Sequence, residues 1–291
     1  MGQAGALGGC DAARRQEISG GPLLWAACPL RRALPKCEAC NTVARLISQS
    51  GAQQDSKPIS ASAAKLRLLQ SLRCTTLLEQ SARRQGAQRV AGVDEAGRGC
   101  LFGPVVAGAC ILNPKDRIRG LRDSKLLDEA ERERLAILIR ERALAWAVAE
   151  VDSSTIDRIN ILQASRLAMK LAVQQLQPAA DFLLVDATTL DLDCPQKAII
   201  HGDALSASIA AASILAKVHR DHLLCELDAL YPQYGLASHK GYPTPEHRRA
   251  LALHGATPLH RRSYRPVAEV CQQAQQALDF AARDFTGGTE C

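Results

Sequence analysis

The sequence predicts an α/β domain with a mixed sheet. Short apolar runs typical of buried strands alternate with longer segments whose apolar residues recur at helical spacing. At 291 residues the chain can bury a sizeable core, as one large domain or two small ones. No stretch reaches the roughly 18 uninterrupted apolar residues of a membrane span, and the start lacks the pattern of a secretory signal. We therefore expect a cytoplasmic protein that does not enter membranes.

The first part of the chain is predicted to lie outside the main fold. Residues 1–62 are rich in Gly, Ala, Ser and Gln without a sustained period, which is typical of a disordered extension. Leucines at helical spacing predict an amphipathic leader helix over 63–85, within a leader segment 63–88. Eleven cysteines, an odd number at irregular spacing, indicate reduced thiols. Cys37 and Cys40 lack a second ligand pair nearby, so we do not predict a zinc site.

The remaining elements alternate in type. VAGVD and LFGPVVAGACIL are predicted as paired strands, DEAERERLAILIRER as a helix, and LAWAVAEV as a third strand. A helix is expected from about 153, capped by Ser153 or Ser154, with a close-packing face of Ala164, Ala168 and Ala172. FLLVDA and KAIIHGD are predicted as two more strands, and residues 206–229 as a long Ala-rich helix.

Four carboxylates stand at the ends of predicted strands. Asp94 and Glu95 follow VAGV, Asp186 ends FLLVD, and Asp203 follows AIIHG. Asp203 alone is better explained as a helix cap or turn residue. Clustered carboxylates repel one another unless a cation lies between them, and oxygen ligands favour Mg²⁺ or Mn²⁺. The set predicts a site for one or two divalent ions of the kind that cleave phosphodiesters.

Neighbouring side chains of a regular strand point to opposite faces, so Asp94 and Glu95 cannot both face one site from such a strand. We therefore expect the strand to end at Glu95. Gly97 and Gly99 would permit the turn and would allow the backbone to approach a substrate closely.

A basic segment with aromatic residues lies near the C-terminus. All four tyrosines fall between 231 and 264, and residues 231–267 carry six Lys or Arg residues against one acid, Glu246. Such a strip predicts contact with the backbone of a nucleic-acid duplex, although a solvated basic surface would have the same composition. The tyrosines are Tyr231, Tyr234, Tyr242 and Tyr264, and the cations are Lys240, Arg248, Arg249, Arg261, Arg262 and Arg265.

Five motifs occur in a fixed order: VDEAGRG, LLVDA, HGDALSASIAAASILAKVHRD, HKGYPT and HRRSY. Together they resemble ribonuclease HII, the type 2 ribonuclease H, over about residues 89–268. The resemblance implies an α/β fold with a ribonuclease-H-like mixed sheet flanked by helices, and a helical C-terminal segment. It places the catalytic domain at 89–268 and leaves 269–291 as a tail.

The resemblance also implies an activity. It indicates a monomeric, metal-dependent endonuclease that hydrolyses RNA in RNA·DNA hybrids and cuts 5′ of single ribonucleotides in duplex DNA, leaving a 3′-hydroxyl and a 5′-phosphate. The metal-binding and catalytic residues would be Asp94, Glu95, Asp186 and Asp203, holding Mg²⁺ or Mn²⁺. The residues expected to bind substrate are Gly97, Arg98 and Gly99 at the 2′-hydroxyl, Tyr242 against the junction sugar, and Lys240, Arg261 and Arg262.

Two positions depart from the family pattern. Cys100 stands where Pro is usual, and His201 where Lys is common. An unperturbed imidazole is mostly uncharged at neutral pH, so a phosphate contact by His201 is not expected.

Two other functions remain open at this point. A non-catalytic nucleic-acid-binding relative would gain little from keeping four acids near phosphate. Another nuclease of the same fold, such as a junction resolvase or a type 3 ribonuclease H, is the second alternative. The GRG motif favours type 2, and the leader before residue 89 has too little strand patterning for the platform domain of type 3.

Overall fold

The computed structural model describes residues 72–286. The predicted disordered extension 1–62 and the first part of the predicted leader helix lie outside the described residues. None of the helices in the described part is both long enough and apolar enough to cross a bilayer.

A mixed sheet lies at the centre of the described residues. Its strand order is β3-β2-β1-β4-β5. The β1–β2 and β2–β3 pairs are antiparallel, whereas β1–β4 and β4–β5 are parallel. The predicted mixed sheet is confirmed. The strands are β1 (Val90–Ala96), β2 (Val105–Ile111), β3 (Ala145–Val151), β4 (Phe182–Asp186) and β5 (Gln196–Ile199).

Helices cover both faces of this sheet. Their bounds are α1 (Leu77–Arg84), α2 (Glu129–Arg142), α3 (Ser153–Ile159), α4 (Ile161–Gln174), α5 (Gly202–Leu205), α6 (Ala207–Leu230), α7 (Leu236–His239), α8 (Pro245–His254) and α9 (Arg265–Thr286), with 3₁₀ turns at Ser124–Leu126 and Pro232–Tyr234. Helix α4 packs on one face through Ala164, Ala168 and Ala172, all fully buried as predicted. Helix α6 packs between the other face and α2.

Helix α6 lies unusually close to the sheet because two strand residues facing it lack side chains. A Cβ on Gly92 would stand 2.0 Å from the carbonyl carbon of Ser208, and one on Gly108 would stand 2.3 Å from the Ala212 oxygen. Both contacts are with helix backbone, so a methyl group at either position would push the helix away from the sheet. Side chains near these glycines on the same face are thereby held against α6.

Two predicted helices and one predicted helix cap differ from the observed ones. Within the described residues the leader is helical only from Leu77, because Thr75 forms a β-bridge with Ser206. The helix expected from 153 is two helices that meet at Asn160, whose φ of 65° breaks the helical path. Its cap is Asp152, which accepts a hydrogen bond from the Thr155 amide, rather than Ser153 or Ser154.

The buried carboxylate of Glu79 connects α1 to the start of α6. Its Oε1 accepts hydrogen bonds from the Ser206 hydroxyl at 2.6 Å and from the Ser208 amide at 2.9 Å. Ser206 caps α6, as a helix beginning at about 206 requires. The leader is therefore part of the packed domain from about Thr75 onward.

Candidate active site

Asp94 and Asp186 lie side by side on neighbouring strands. Strands β1 and β4 are parallel, with Val93 opposite Val185, so the next residue of each strand is an aspartate at the same sheet edge. Asp94 shares the strand face of Gly92. Its side chain is 4% exposed because α6 covers that face. The parallel pairing thus brings two of the predicted acids together.

Glu95 lies within strand β1, not beyond its end. The strand continues to Ala96, and Glu95 is paired with Ala107. The expected end of the strand at Glu95 is therefore wrong, and the two neighbouring acids leave opposite faces of β1. The longer Glu95 side chain extends at the strand end, where the Arg98 Nη1 atom is 3.2 Å from its Oε1.

Asp203 is carried by a helix, not by a strand as predicted. Strand β5 ends at Ile199, His201 turns the chain with a φ of 57°, and Asp203 lies in the short helix α5. The Gly202 amide donates a hydrogen bond to Asp186 Oδ1 at 2.7 Å, which links this helix to β4. Lys125 Nζ is 3.1 Å from Asp203 Oδ2.

The four carboxylates form one electrostatic group. Burial raises the pKa of Asp94 well above its usual range, and the nearby charges of Glu95, Asp186 and Asp203 raise it further. Burial also raises the pKa of Glu95 and the pKa of Asp186. The carboxyl groups therefore disfavour one another's ionised forms, and Lys125 and Arg98 offset this only in part.

The donor set fits a hard divalent cation. All four side chains offer carboxylate oxygens, the ligands that Mg²⁺ and Mn²⁺ prefer, and a cation among them would relieve their mutual repulsion. In residues 72–286 no three His, Cys, Asp or Glu side chains are arranged around a common point as ready ligands. Binding would require the carboxylates to rotate toward the ion, with Lys125 releasing Asp203.

The GRG turn (Gly97–Gly99) follows Asp94 and Glu95 in the chain, and the buried side chain of Arg261 holds it by hydrogen bonds. Gly97 has a φ of 90°, a conformation that L side chains rarely adopt. The Arg261 Nη1 atom donates to the carbonyl of Gly97 at 2.8 Å and to that of Arg98 at 3.0 Å, and its Nε donates to Gly103 at 3.0 Å. The turn is therefore fixed by a guanidinium and not by regular secondary structure.

Arg261 does not reach the surface. The prediction assigned it to the substrate, but its side chain is fully buried and its Nε and Nη1 atoms donate to backbone carbonyls. The Arg261 guanidinium therefore stabilises the backbone of the GRG turn and does not contact substrate. The neighbouring Arg262 is exposed and free to meet a phosphate, while its amide and that of Ser263 are bound by Asp157.

A second fully buried arginine, Arg220, joins the segment after the GRG turn to the loop that carries Tyr242. It donates to the carbonyls of Phe102 at 3.0 Å, Pro104 at 3.2 Å and Lys240 at 2.8 Å. Hydrogen bonds from a charged donor are the strong kind, and three of them offset the cost of burying the charge. Helix α6 thus fixes both loops through one side chain.

Tyr242 has the exposed ring that the prediction requires. Its side chain is 40% exposed, and Lys217 Nζ is 5.8 Å from the ring centroid. Cys100 lies buried beneath it, with its thiol 3.6 Å from the carbonyl oxygen of Lys240. Burial next to Cys100 raises the pKa of the Tyr242 hydroxyl. The cysteine that departs from the family pattern therefore packs under the predicted recognition residue.

Lys240 was expected to bind substrate, but its side chain is largely buried. Its side chain is 15% exposed, and its Nζ atom is 2.9 Å from Cys225 Sγ and 4.0 Å from Glu129. Its contribution to the site comes from its carbonyl, which Arg220 binds.

The basic strip is confirmed only in part. Tyr234 is buried, and Tyr231 and Tyr264 pack against the core, so Tyr242 alone of the four tyrosines presents its ring to solvent. The exposed cations are Arg248, Arg249, Arg262 and Arg265.

Comparison with known proteins identifies this arrangement. A family model described as Ribonuclease HII matches residues 91–267. The chain is 57% identical over 227 residues to the ribonuclease HII of Koribacter versatilis, covering 78% of this chain and 89% of the relative. It is 60% identical over 195 residues to that of Solibacter usitatus, covering 67% and 86%. The chain belongs to the ribonuclease HII family.

As a member of this family, the chain is a ribonuclease H, an endonuclease that acts on RNA·DNA hybrids. Its fold is similar to that of the ribonuclease H2 from Pyrococcus horikoshii, with a TM-score of 0.55 and 28% identity over 64% of this chain and 98% of the other. The ribonuclease-H-like fold class and the enzymatic function are thus confirmed. The non-catalytic, type 3 and resolvase alternatives are set aside.

Sequence reasoning missed three residues of this ribonuclease HII site. Lys125 precedes a well-capped helix in DSKLLDEAE, which reads as an ordinary helix start. Arg220 and Lys217 lie on the long Ala-rich helix α6. A cation on the buried face of an apolar helix was the one available signal for Arg220, because such a charge requires partners.

Proposed function

We propose that this ribonuclease HII cuts on the 5′ side of a ribonucleotide, including a single ribonucleotide within duplex DNA. The observation that carries the proposal is the position of the GRG turn. The turn leaves β1 directly after Asp94 and Glu95, so a sugar held at the turn would place its 5′ phosphate beside the carboxylates.

Asp94, Glu95, Asp186 and Asp203 would hold one or two Mg²⁺ or Mn²⁺ ions. When bound, the ions supply an activated water and charge that stabilises the leaving oxygen. The electrostatics support this assignment, since burial and the neighbouring acids raise the pKa values of Asp94 and Asp186, and a cation among them would favour their ionised forms. Ribonucleases H generally use divalent metal ions, which agrees with the proposal.

The proposed direction of cleavage corresponds to an in-line displacement at phosphorus in which the 3′ oxygen lies opposite the attacking water. A water oxygen forms the new bond to the phosphorus on the 5′ side of the ribonucleotide, and the bond to the 3′ oxygen of the preceding nucleotide breaks. The products are then a 3′-hydroxyl and a 5′-phosphate. The 2′-hydroxyl of the ribonucleotide serves recognition and takes no part in the displacement.

Recognition of that hydroxyl is assigned to the backbone of Gly97, Arg98 and Gly99. A Cβ on Gly99 would meet no atom within 4 Å, so open space lies above this residue. Backbone groups there can approach a sugar hydroxyl without a side chain between them, and the 2′-hydroxyl distinguishes RNA from DNA.

Tyr242 would stack beside the sugar at the junction, and Arg262 would contact a phosphate. The exposed ring of Tyr242 is tied to the turn through Arg220, which supports a shared role. Exposed arginines position a duplex through its phosphates without reading the sequence. Lys240 and Arg261 are proposed to act indirectly, by holding the two loops.

The organisation of the chain is proposed as follows. Residues 89–268 form the catalytic domain, 63–88 the leader, 1–62 an N-terminal extension and 269–291 a tail. Helix α9 crosses the boundary at 268 without a break. We further propose a cytoplasmic monomer that does not associate with membranes.

A duplex carrying one ribonucleotide tests the proposal. With Mg²⁺ or Mn²⁺, a single cut should appear 5′ of the ribonucleotide, with a 3′-hydroxyl and a 5′-phosphate at the nick. An all-DNA duplex and the Asp94→Asn variant serve as controls and should remain uncut. A 2′,3′-cyclic phosphate or a cut on the 3′ side would contradict the mechanism.

A further inference from the structure

Three histidines lie under the loop that carries Tyr242. His247 and His260 have 0% and 1% exposure, and their Nε2 atoms are 3.4 Å apart. His239 stacks on His247 with ring centroids 4.4 Å apart and an interplanar angle of 14°. None of these rings has a place in the proposed chemistry, yet all three are held by specific hydrogen bonds.

The hydrogen bonds fix the protonation of His260 and His247. The Thr257 amide must donate to His260 Nδ1, 3.0 Å away, so the proton of neutral His260 is on Nε2. The carbonyl of Tyr242 can only accept, so His247 carries its proton on Nδ1, 2.9 Å from that oxygen. His260 Nε2–H therefore donates to His247 Nε2. The network is complete only when both rings are neutral.

The hydrogen bonds of His239 also fix it as a neutral ring. The Gly241 amide donates to its Nδ1 at 3.2 Å, and its Nε2 donates to the Tyr234 carbonyl at 2.8 Å. The rings of His239, Tyr234 and Phe102 pack against the His247–His260 pair. Among the described residues no carboxylate or cation forms a hydrogen bond with either ring of the pair.

This chain of hydrogen bonds runs from the segment that packs against the residues after the GRG turn to the loop that carries Tyr242. His260 is fixed beside the segment after the GRG turn, because the Arg261 amide donates to Leu101 at 2.9 Å and the Gly103 amide donates to Leu259 at 2.9 Å. The His260 ring also meets Phe102 edge-on at 4.8 Å. The other end is the Tyr242 carbonyl.

We propose that the neutral pair His260–His247 is a positioning device that sets Tyr242 relative to the GRG turn. The inference rests on the proposed role of Tyr242 in substrate recognition. A tyrosine ring contributes to substrate binding by stacking only if its backbone is held in position. His247 holds the backbone of Tyr242 through a hydrogen bond to the Tyr242 carbonyl.

The electrostatics of the pair agree with this geometry. Burial lowers the pKa of His247, and burial together with His247 lowers the pKa of His260 to about 3. Both rings therefore remain neutral under ordinary assay conditions.

Ring nitrogen NMR of the full-length protein tests the first part of the inference. Long-range ¹⁵N–¹H correlation at pH 7 should show His247 as the Nδ1–H tautomer and His260 as the Nε2–H tautomer. An imidazolium or the opposite tautomer at either ring would overturn the proposal, whatever the behaviour of any variant.

Kinetics on the single-ribonucleotide duplex test the second part. His247→Leu removes the bond to Tyr242, whereas His247→Asn keeps an N–H donor at the position of Nδ1. We expect His247→Leu to lower kcat/KM roughly tenfold, as does Tyr242→Ala, and the double variant to show no further loss. His247→Asn should recover most of the activity, and Mn²⁺ affinity should stay unchanged in all variants.

His254→Asn is the matched control, since this exposed histidine lies on the same helix. It should behave as the unmodified enzyme, and a loss equal to that of His247→Leu would overturn the inference. Full activity in His247→Leu beside a loss in Tyr242→Ala would also overturn it. If Tyr242→Ala itself cleaves normally, the proposed role of Tyr242 is what fails. Should His247→Leu not fold, His247→Asn and the NMR measurement still decide.

Discussion

Arg220 occupies the space that a side chain on Gly97 would need. A Cβ on Gly97 would stand 2.1 Å from the Arg220 Nε atom, and the φ of 90° at Gly97 already disfavours any other residue. Arg220 cannot move aside cheaply, because its guanidinium is buried and donates to three carbonyls. The shape of the GRG turn and the position of this arginine therefore depend on each other.

Gly97→Ala should lower both stability and cleavage. The methyl group displaces Arg220 and strains the turn, so we expect a loss of roughly 2 kcal/mol or more in the free energy of unfolding. Gly99→Ala is the control, since a Cβ there meets nothing within 4 Å. Urea unfolding should show Gly99→Ala near normal, while its cleavage of the single-ribonucleotide duplex falls. Equal stability of the two variants would contradict the coupling to Arg220.

Asp94→Asn should abolish cleavage while making the metal-free protein more stable at neutral pH. The pKa of Asp94 is raised in the folded state, so its contribution to stability is complete below the unfolded pKa and is lost as pH rises through the folded pKa. The uncharged amide of the Asp94→Asn variant does not ionise, so the variant does not lose this stability at neutral pH. Thermal unfolding with and without Mg²⁺ tests this, because Mg²⁺ should raise Tm in the unmodified enzyme more than in the variant.

Lys125→Met should tighten Mn²⁺ binding about two- to fivefold. Lys125 pairs with Asp203 at 3.1 Å and competes with a cation for that carboxylate, and exposed pairs are worth up to about 1 kcal/mol. Calorimetric titration measures the change. Lys170→Met, which removes the Lys170–Asp191 pair at 3.1 Å, should leave Mn²⁺ affinity unaltered. Weaker binding in Lys125→Met would show that the ammonium does not compete.

Arg261→Lys should behave differently from Arg262→Lys. One ammonium cannot replace the bonds of Arg261 to Gly97, Arg98 and Gly103, and leaving buried carbonyls without donors costs about 1–3 kcal/mol each. Guanidinium denaturation should reveal that loss, with poorer cleavage. Arg262→Lys should keep its stability, and duplex affinity should change little because a lysine still meets phosphate. Similar stability in both would argue against the supporting role of Arg261.

Acid should destabilise the protein through His260. Its folded pKa of about 3 lies below the unfolded value near 6.5, so its contribution is present above about 6.5 and is lost as pH falls toward 3. From pH 7 to pH 5 the loss from this residue is about 2 kcal/mol. Urea unfolding of the unmodified protein and of His260→Phe at both pH values measures it, with a shallower dependence expected for the variant.

The sequence predicted those site residues whose type is unusual for their position in a secondary-structure element. Asp94, Glu95 and Asp186 were predicted because an acid at the end of an apolar strand has few structural uses. The sheet and the long helix α6 were predicted from periodicity and composition, whereas the cap of the helix at 153 was not.

The remaining features depend on tertiary packing that periodicity does not encode. Glu95 stays in strand β1 because β2 continues to pair with it as far as Ala96. Arg261 and Arg262 are adjacent and identical in type, yet one is buried and the other exposed. Composition cannot separate them, since the difference arises from where the GRG turn presents its carbonyls. The tyrosines of the basic strip were overestimated as binding residues for the same reason.

The contact between Glu79 and Ser206 joins residues that are 127 positions apart in the chain. At a synthesis rate of about 5–20 residues per second, roughly 6–25 s pass before Glu79 meets the serines that bind it. Until then its carboxylate stays in water, and the short helix bearing Asp203 does not yet exist. A nascent chain released before that point would be without nuclease activity even though Asp94, Glu95 and the GRG turn had already been made.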